Sequence, residues 1–427
     1  MKILDSNSKN FKKNLDILLQ KRKNKIRFNS LSVSSIIRDV KKNGDKAVLK
    51  YEKKFNKNKI IKPNLKQISK SISSLEKKVK KAIDLAYNRI YKFHSLQKFK
   101  NISYTDNLNN KLEYKYLPID SVALYVPGSS ASYPSSVLMS TIPAIIAGVK
   151  RIVMINPGLK GKQNPAVLYA ARKCKINEIY SIGGPSAIAA VAYGTKKIKK
   201  VDKIVGPGNL YVAAAKKEVF GDVGIEGMTA GPSEILIVCD KFSNPEWVAS
   251  DLIGQAEHDT LAQCILISKD KKLIEKVKIE ISKQLKQIPR SSIARKSLKS
   301  NGVLIYAGSD KEIIDISNRV SPEHLELNVK NYKSFIPRIK NAGSICLGKY
   351  AVMAMTDYNV GSNHVLPTNS SAKYSSGISV NEFYKRISYI NLSKRGIEKL
   401  GPSAITLANY EGLHAHAQSV KKRIRRK

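Results

Sequence analysis

The segment Ser121-Val-Ala-Leu-Tyr-Val-Pro-Gly128 begins the repeating pattern that decides the fold. Its apolar residues have the length of a buried strand, and Pro127-Gly128 ends the strand with turn chemistry. A predicted helix follows at residues 137–147, and the same order of strand, turn and helix then recurs. Further strands are predicted at 151–155, 178–182 and 203–205. Because strands separated by helices pair in parallel, this alternation predicts a parallel sheet covered by helices.

A second pattern of the same kind begins at residues 234–238 and continues with strands at 264–267, 302–306 and 344–347. Helix-period spacing predicts two or three helices in the first hundred residues, and no strand is predicted beyond about residue 376. The fold class is therefore α/β, with two Rossmann-like parallel-sheet domains and helical N-terminal and C-terminal extensions. The predicted divisions are a basic helical arm (1–24), one α/β domain (25–118 with 235–376), a second (119–234) and a tail (377–427).

Gly-rich turns follow three strands of the first pattern, at Pro127-Gly128, Gly183-Gly184 and Gly206-Pro-Gly208. Such turns let the backbone approach a phosphate and aim helix N-termini at it, at the carboxyl ends of the strands. None of the three has the Gly-x-Gly-x-x-Gly spacing of a dinucleotide site. Plain turn chemistry therefore stays open beside dinucleotide binding.

The chain is strongly basic, with 76 Lys and Arg against 33 Asp and Glu in 427 residues, a net charge of +43. This balance would suit a polyanion, but the lysines are dispersed and few aromatic residues lie among them for base stacking. Residues 203–265 are instead locally acidic, with 4 basic and 9 acidic side chains. We expect solvated lysines, some nonspecific adhesion to polyanions, and no specific nucleic-acid binding.

The cysteines, the N-terminus and the apolar runs indicate a soluble cytoplasmic protein. Four cysteines lie far apart without a Cys-x-x-Cys pair, which disfavours a disulfide scaffold or a thiolate zinc finger. Cys239 and Cys264 lie in apolar strand runs and are expected to be buried rather than nucleophilic. No signal peptide is expected, and the apolar run at 137–149 is too short to span a membrane.

The histidines are grouped with carboxylates and amides. Of six, five fall in four short segments: Gln255-Ala-Glu-His258, Ser321-Pro-Glu-His324, Asp357 to His364, and Glu411-Gly-Leu-His-Ala-His416. Gln255 and His258, three residues apart on a predicted helix, share one face. Because the chain has so few histidines, this grouping favours a functional site over scattered surface residues. Solvated histidines on loops remain the alternative.

The chemistry of these residues suits a metal-assisted oxidation. Gln255, His258, Asp357 and His416 supply nitrogen and oxygen donors of the kind zinc accepts. Glu323 and His324 supply a carboxylate and an imidazole that can act as bases at neutral pH. Together with nicotinamide-type turns, they indicate oxidation of a polar alcohol.

Seven motifs resemble the histidinol dehydrogenase family, in order and over nearly the whole chain. They are Leu124-Tyr125-Val-Pro-Gly128, Val201 to Val212, Ala230-Gly-Pro-Ser233-Glu234, Gln255-Ala-Glu-His258, Ser321 to Leu327, Asn363-His364-Val-Leu-Pro-Thr368 and Glu411-Gly-Leu-His-Ala-His416. The resemblance implies an NAD-linked, zinc-dependent, four-electron oxidation of L-histidinol through histidinal to L-histidine, the last steps of histidine biosynthesis.

The resemblance also implies a role for each matching residue. Zinc, one per subunit, would be held by Gln255, His258, Asp357 and His416, which would also line the substrate. Ser233, His324, His364 and Glu411 would contact the substrate, and Tyr125, Ser186 and Asn209 would contact NAD. His324 would take the alcohol proton, and Glu323 would activate the water that attacks the aldehyde. The tail would cross to the partner subunit of a homodimer with shared active sites.

Two stretches depart from the family pattern. The family commonly has Gly-Gly-Ala-Gln-Ala-Ile where this chain reads Gly183-Gly-Pro-Ser186-Ala-Ile188, so a glutamine contact to NAD becomes a shorter serine. Ahead of Asp357, the common Pro-Glu and small-residue stretch is replaced by Val352-Met-Ala-Met-Thr356. We expect weaker cofactor binding from the first, altered surroundings of zinc from the second, and an intact ligand set.

Two other functions stay open from the sequence. One is a dehydrogenase on the same scaffold that oxidises another amino alcohol or a sulfonate, although Glu411, His364 and His416 suit an imidazole-bearing substrate. The other is a basic nucleic-acid-binding protein with a vestigial site. NADH formation from L-histidinol, with and without a chelator, separates the three.

Overall fold

The structure is a computed structural model that describes residues 1–26, 30–128, 132–158, 162–226 and 231–424. The N-terminal part contains β1 (Lys2–Asp5), α1 (Phe11–Ile26), α2 (Ser30–Asn43), α3 (Asp45–Tyr51), a π-helical turn (Glu52–Asn56), α4 (Leu65–Ser73), α5 (Lys77–Ser95), β2 (Ile102–Thr105) and β3 (Lys111–Pro118). The predicted N-terminal arm thus begins with a strand before its helix.

The alternation that starts at Ser121 forms a five-stranded parallel sheet with strand order β6-β5-β4-β7-β8. Its elements are β4 (Ser121–Tyr125), α6 (Pro134–Ala147), β5 (Arg151–Ile155), α7 (Pro165–Lys173), β6 (Glu178–Tyr180), α8 (Gly184–Tyr193), β7 (Lys203–Val205), α9 (Leu210–Glu218) and β8 (Gly224–Ile225). The strand order reverses between β4 and β7, and a ligand crevice is expected beyond the carboxyl ends at such a point.

The second alternation forms a six-stranded parallel sheet with strand order β1-β11-β10-β9-β12-β13. It contains β9 (Glu234–Cys239), α10 (Pro245–Ala256), β10 (Gln263–Ser268), α11 (Lys271–Gln284), α12 (Ser291–Asn301), β11 (Val303–Tyr306), α13 (Asp310–Val320), β12 (His324–Asn328), β13 (Ser344–Leu347) and α14 (Met353–Tyr358). The N-terminal β1 completes this sheet by pairing with β11, a contact that the sequence analysis did not predict.

The tail contains β14 (Tyr384–Asn391), α15 (Lys394–Tyr410) and α16 (His414–Ile424). The prediction of no strand beyond about residue 376 is wrong, because β14 pairs antiparallel with β3 in a three-stranded sheet that also contains β2. Nearly all of β14 is exposed. It therefore lacks the alternation of buried and exposed residues by which a half-buried strand is found in a sequence.

Each parallel sheet has a hydrophobic core on both faces, which is why its strands read as continuous apolar runs. In β9, Ile235 and Ile237 pack with α10, α11 and α12, whereas Leu236 and Val238 pack on the opposite face with α1 and α13. The predicted α/β class with two parallel sheets is confirmed. The domain divisions stay a prediction.

Candidate functional site

The predicted catalytic residues, together with the predicted substrate contact Ser233, lie at the amino ends of strands in the six-stranded sheet. Ser233 immediately precedes β9, and Glu323 and His324 stand at the start of β12. The predicted cofactor residues lie at the carboxyl ends of the five-stranded sheet, because Tyr125 ends β4 and Asn209 follows β7. These predicted site residues therefore lie at the carboxyl ends of the strands in the five-stranded sheet and at the amino ends in the six-stranded sheet.

A sharp turn places Glu323 and His324. Helix α13 ends at Ser321, which has a left-handed backbone with φ of 49°. Both site side chains are buried, and Oε2 of Glu323 accepts a hydrogen bond of 2.8 Å from the backbone N–H of Glu234. A tight backbone approach supports this turn, since a Cβ added at Gly343 would lie 2.6 Å from the carbonyl oxygen of Glu323. The strand start is thereby fixed against β9.

His324 lies between two carboxylates. Its Nε2 is 3.9 Å from Oε1 of Glu323 and 3.8 Å from Oδ1 of Asp357. Burial, followed by the nearby His364 and His258, lowers the pKa of His324 to about 3. Its Nδ1 is buried without a hydrogen-bond partner among the described residues. A neutral imidazole held in this way can accept a proton at pH 7.

His364 joins this cluster through contacts to two parts of the chain. Its Nδ1 lies 2.8 Å from the carbonyl oxygen of Asp357, and its Nε2 lies 3.3 Å from Oγ of Ser136 in α6. Burial lowers its pKa to about 4. Ser136 was not predicted as a site residue, because nothing in the apolar sequence of α6 indicates that this serine contacts His364.

The donor atoms expected for zinc fit a cation. Both side-chain polar atoms of Gln255 are buried without a hydrogen-bond partner in the part of the chain that the structure describes. Burial raises the pKa of Asp357 to about 7 and lowers that of His258. An orphaned amide, a desolvated carboxylate and a buried imidazole are groups that a bound metal would satisfy.

The described chain does not bring all of the expected zinc donors together. No group of three or more His, Cys, Asp or Glu side chains placed to hold a metal occurs among the described residues. The amide of Gln255 is outside that class of donors, and His416 lies elsewhere. Both His416 and Glu411 are exposed on the tail, so the structure does not bring them into the buried cluster.

The tail presents apolar side chains to solvent. Leu407 is 60% exposed and Tyr410 is 92% exposed on α15, next to Glu411. Helices α15 and α16 pack on each other, and few of their residues are buried. Exposed apolar side chains of this kind make the tail a candidate interaction surface.

The predicted cofactor residues lie at two helix N-termini. The hydroxyl oxygen of Tyr125 accepts a 3.1 Å bond from the N–H of Gly184, and Oγ of Ser186 donates to the carbonyl of Gly183 at 3.1 Å. Asn209 is exposed, and its side-chain oxygen accepts from the N–H groups of Tyr211 and Val212 at 3.1 Å each. The turn before α9 is therefore the more open of the two.

A carboxylate occupies the turn before α8. Glu52, in the π-helical turn, is buried and accepts a 2.7 Å bond from the N–H of Gly183. Burial raises its pKa, although the bond from Gly183 opposes this. Glu52 was not predicted as a site residue, because its lysine-rich surroundings in the sequence are typical of a solvated helix.

The stretch that departs from the family pattern before Asp357 forms the start of α14. Met353 is buried in a hydrophobic core, and its backbone N–H donates a 2.7 Å bond to Oε1 of Glu326 in β12. A carboxylate therefore still stands at this helix start, supplied by another strand.

The cysteines do not form a nucleophilic site. All four are buried free thiols in the described part of the chain. Burial raises the pKa of Cys174 and Cys346 to about 12 and raises that of Cys239 as well. A buried protonated thiol is a poor nucleophile, which agrees with the expectation for Cys239 and Cys264.

None of the helices within the described ranges combines the length and the apolar character needed to cross a bilayer.

Comparisons with known proteins match the chain over nearly its whole length. A family model described as histidinol dehydrogenase matches residues 19–424. The chain is 79% identical over 427 residues to the histidinol dehydrogenase of Pelagibacter ubique (strain HTCC1062), covering 100% of both chains. It is 46% identical over 397 residues to that of Brucella suis biovar 1 (strain 1330), covering 92% of each. The crystal structure of histidinol dehydrogenase from Elizabethkingia anophelis matches with a TM-score of 0.92 and 36% identity, covering 99% of this chain and 98% of that chain.

Proposed function

The chain belongs to the histidinol dehydrogenase family of oxidoreductases, and we propose that it oxidises L-histidinol through L-histidinaldehyde to L-histidine with NAD and zinc. The observation that carries this proposal is the buried cluster in which the orphaned amide of Gln255 accompanies His258, while His324 lies between Glu323 and Asp357. When bound, zinc supplies Lewis acidity and NAD accepts hydride.

His324 serves as the base of the first oxidation. Its lowered pKa keeps the imidazole neutral at pH 7, so Nε2 can take the proton of the alcohol. The neighbouring carboxylates of Glu323 and Asp357, each within 4 Å of that nitrogen, stabilise the imidazolium that forms. Burial of this group separates the base from bulk solvent.

Glu323 serves the second oxidation. The N–H of Glu234 holds one carboxylate oxygen, and the other faces His324. A carboxylate fixed in this way can take a proton from a water molecule that attacks the aldehyde. Separate bases then serve separate steps at one site.

Substrate and zinc would be held by residues of two subunits. Gln255, His258 and Asp357 of one subunit would hold zinc with His416 of the partner subunit, one ion per site. Ser233, His324 and His364 would contact the substrate together with Glu411 of the partner subunit. The exposed apolar side chains beside Glu411 support a homodimer, since a twofold interface would cover both copies.

The cofactor would lie at the carboxyl ends of the five-stranded sheet, against Tyr125, Ser186 and Asn209. The exposed N-terminus of α9 supports this placement, because such a terminus suits a pyrophosphate. Free cysteines support a reducing compartment, and we place the reaction in the cytoplasm. We propose no specific nucleic-acid partner and no membrane partner.

The test is an assay of NADH formation with purified protein. L-Histidinol should yield NADH, a chelator should abolish the activity, and zinc should restore it. An amino alcohol without an imidazole ring should be a poor substrate at the same concentration. Turnover of that amino alcohol in preference to histidinol, or full activity after chelation, contradicts the proposal.

A further inference from the structure

Two acids meet where elements that carry candidate site residues pack together. Asp251 in α10 and Glu326 in β12 form a side-chain hydrogen bond. Glu326 is 1% exposed, and Asp251 is half-buried. Two carboxylates without a proton between them repel each other and cannot hydrogen-bond, so this contact requires one shared proton.

The surroundings support a shared proton. Burial raises the pKa of Glu326 to about 8, with a further contribution from Asp251, and burial raises that of Asp251 to about 6. The N–H of Met353 donates to one oxygen of Glu326 at 2.7 Å. The pair therefore carries one negative charge, and the contact with Met353 holds one oxygen of Glu326 in place.

Each of the three elements that meet at this pair carries a site residue close by. Asp251 lies one helical turn before Gln255 in α10, and Met353 lies one turn before Asp357 in α14. Glu326 lies two residues after His324 in β12, so both side chains project from the same face of the strand. The acid pair therefore connects the three elements that carry the proposed zinc ligands Gln255 and Asp357 and the proposed base His324.

We propose that Asp251 and Glu326 are positioning residues, whose proton-sharing contact fixes α10 and α14 against β12 and thereby sets the distances among Gln255, Asp357 and His324. This inference rests on the proposed function, since it concerns zinc ligands and a base. Neither acid touches the reacting atoms in this role. Their effect reaches the reaction through the backbone of the three elements.

Amide variants of the two acids keep the contact between them, whereas apolar variants remove it, so the two sets of variants can be compared. In Glu326→Gln, the side-chain oxygen still accepts from Met353 and the amide N–H donates to an ionised Asp251, so both the contacts and the single negative charge persist. Asp251→Asn has the same effect with the roles exchanged. Asp251→Ala at a half-buried position and Glu326→Leu in the strand remove the contact between the two elements.

The experiment measures zinc affinity by chelator competition, together with kcat and KM for L-histidinol, on the holoenzyme. The amide variants should stay within about threefold of the unmodified protein, whereas Asp251→Ala and Glu326→Leu should lose about 10- to 100-fold in zinc affinity or kcat, as for groups that orient metal ligands. Glu246→Gln, an exposed acid on the same helix, is the matched control and should change nothing.

The outcomes distinguish this inference from the proposed function. An unmodified protein that neither binds zinc nor oxidises histidinol overturns both. An active unmodified protein whose Asp251→Ala variant keeps its zinc affinity and kcat overturns the positioning role alone. If Glu326→Leu fails to fold, Asp251→Ala with rescue by Asp251→Asn still decides, because loss of function in both variants also overturns it.

Discussion

The buried position of Lys216 predicts how strongly the stability of the protein depends on pH. This lysine in α9 is 1% exposed, and its Nζ donates to the carbonyl oxygens of Gly206 at 2.5 Å and Glu226 at 3.3 Å. Burial lowers its pKa from 10.5 to about 8, although the charge of Glu226 opposes this. The difference corresponds to a cost on the order of 3 kcal/mol for keeping the ammonium charged inside the protein.

The sign of the pH dependence follows from that lowered pKa. Between pH 8 and 10.5 the unfolded chain binds the proton and the folded chain does not, so the contribution of Lys216 to stability rises with pH across this window. Below about pH 8 both states are protonated and the full cost is present. Lys216→Met removes the titration and leaves two carbonyls without their donor, which adds an offset that does not depend on pH.

The assay is urea unfolding of the unmodified protein and the Lys216→Met variant from pH 7.5 to 10.5. The free energy of unfolding of the unmodified protein, relative to the variant, should increase by roughly 3 kcal/mol across the window. Lys217→Met, an exposed neighbour in the same helix, is the control and should follow the unmodified protein. Parallel stability curves for the unmodified protein and Lys216→Met would show that Lys216 does not titrate with a lowered pKa in the folded protein.

Three further predictions concern the reaction, the assembly and the charge. Glu323→Gln keeps an acceptor for the N–H of Glu234 but cannot take a proton. In single-turnover kinetics the second oxidation should therefore slow by about 10²- to 10⁴-fold and the first far less. Equal slowing of both steps contradicts separate bases. Mixing inactive Asp357→Ala and His416→Ala subunits should restore about a quarter of the unmodified activity, because half of the random dimers are mixed and each mixed dimer has one intact site; no recovery with heterodimers present rejects a shared site. Moderate salt should abolish retention on DNA or RNA while turnover persists, and sequence-selective binding at physiological salt would contradict a solvated lysine surface.

The sequence predicted the parallel sheets because their strands are buried on both faces and stand between helices. Residues 122–126 and 235–239 are apolar without interruption, a pattern that a strand with one solvated face does not show. Strands β1 and β14 were missed for the opposite reason. Both lie at sheet edges and are largely exposed, so their stability comes from pairing with β11 and β3 rather than from a local pattern.

The site was predicted in part. Grouped histidines and acids pointed to His258, His324 and His364. The structure brings them close enough together that His364 and His258 help to lower the pKa of His324, and His258 helps to lower that of His364. Glu52 and Ser136 act on the site region through partners more than a hundred and more than two hundred residues away, respectively. No local signal encodes such contacts, since they depend on how the helices pack on the sheets.

The position of the predicted bases at the amino end of a strand in the six-stranded sheet could also not be predicted from the sequence. Ligands in parallel sheets are expected at carboxyl ends, but Glu323 and His324 stand at the amino end of β12. The predicted bases lie at the amino end of a strand in the larger sheet, and the predicted cofactor turns lie at the carboxyl ends of strands in the smaller one. A sequence gives the order of elements and leaves their relative orientation open.

Whether one site carries out both oxidations is decided by the number of NADH molecules formed for each L-histidinol consumed by the zinc-loaded protein. Two oxidations at one site, served by His324 and then by Glu323, predict two NADH and L-histidine as the product, with no NADH after zinc is removed. One NADH per histidinol with free L-histidinaldehyde as the product, or undiminished NADH formation without zinc, would contradict the account.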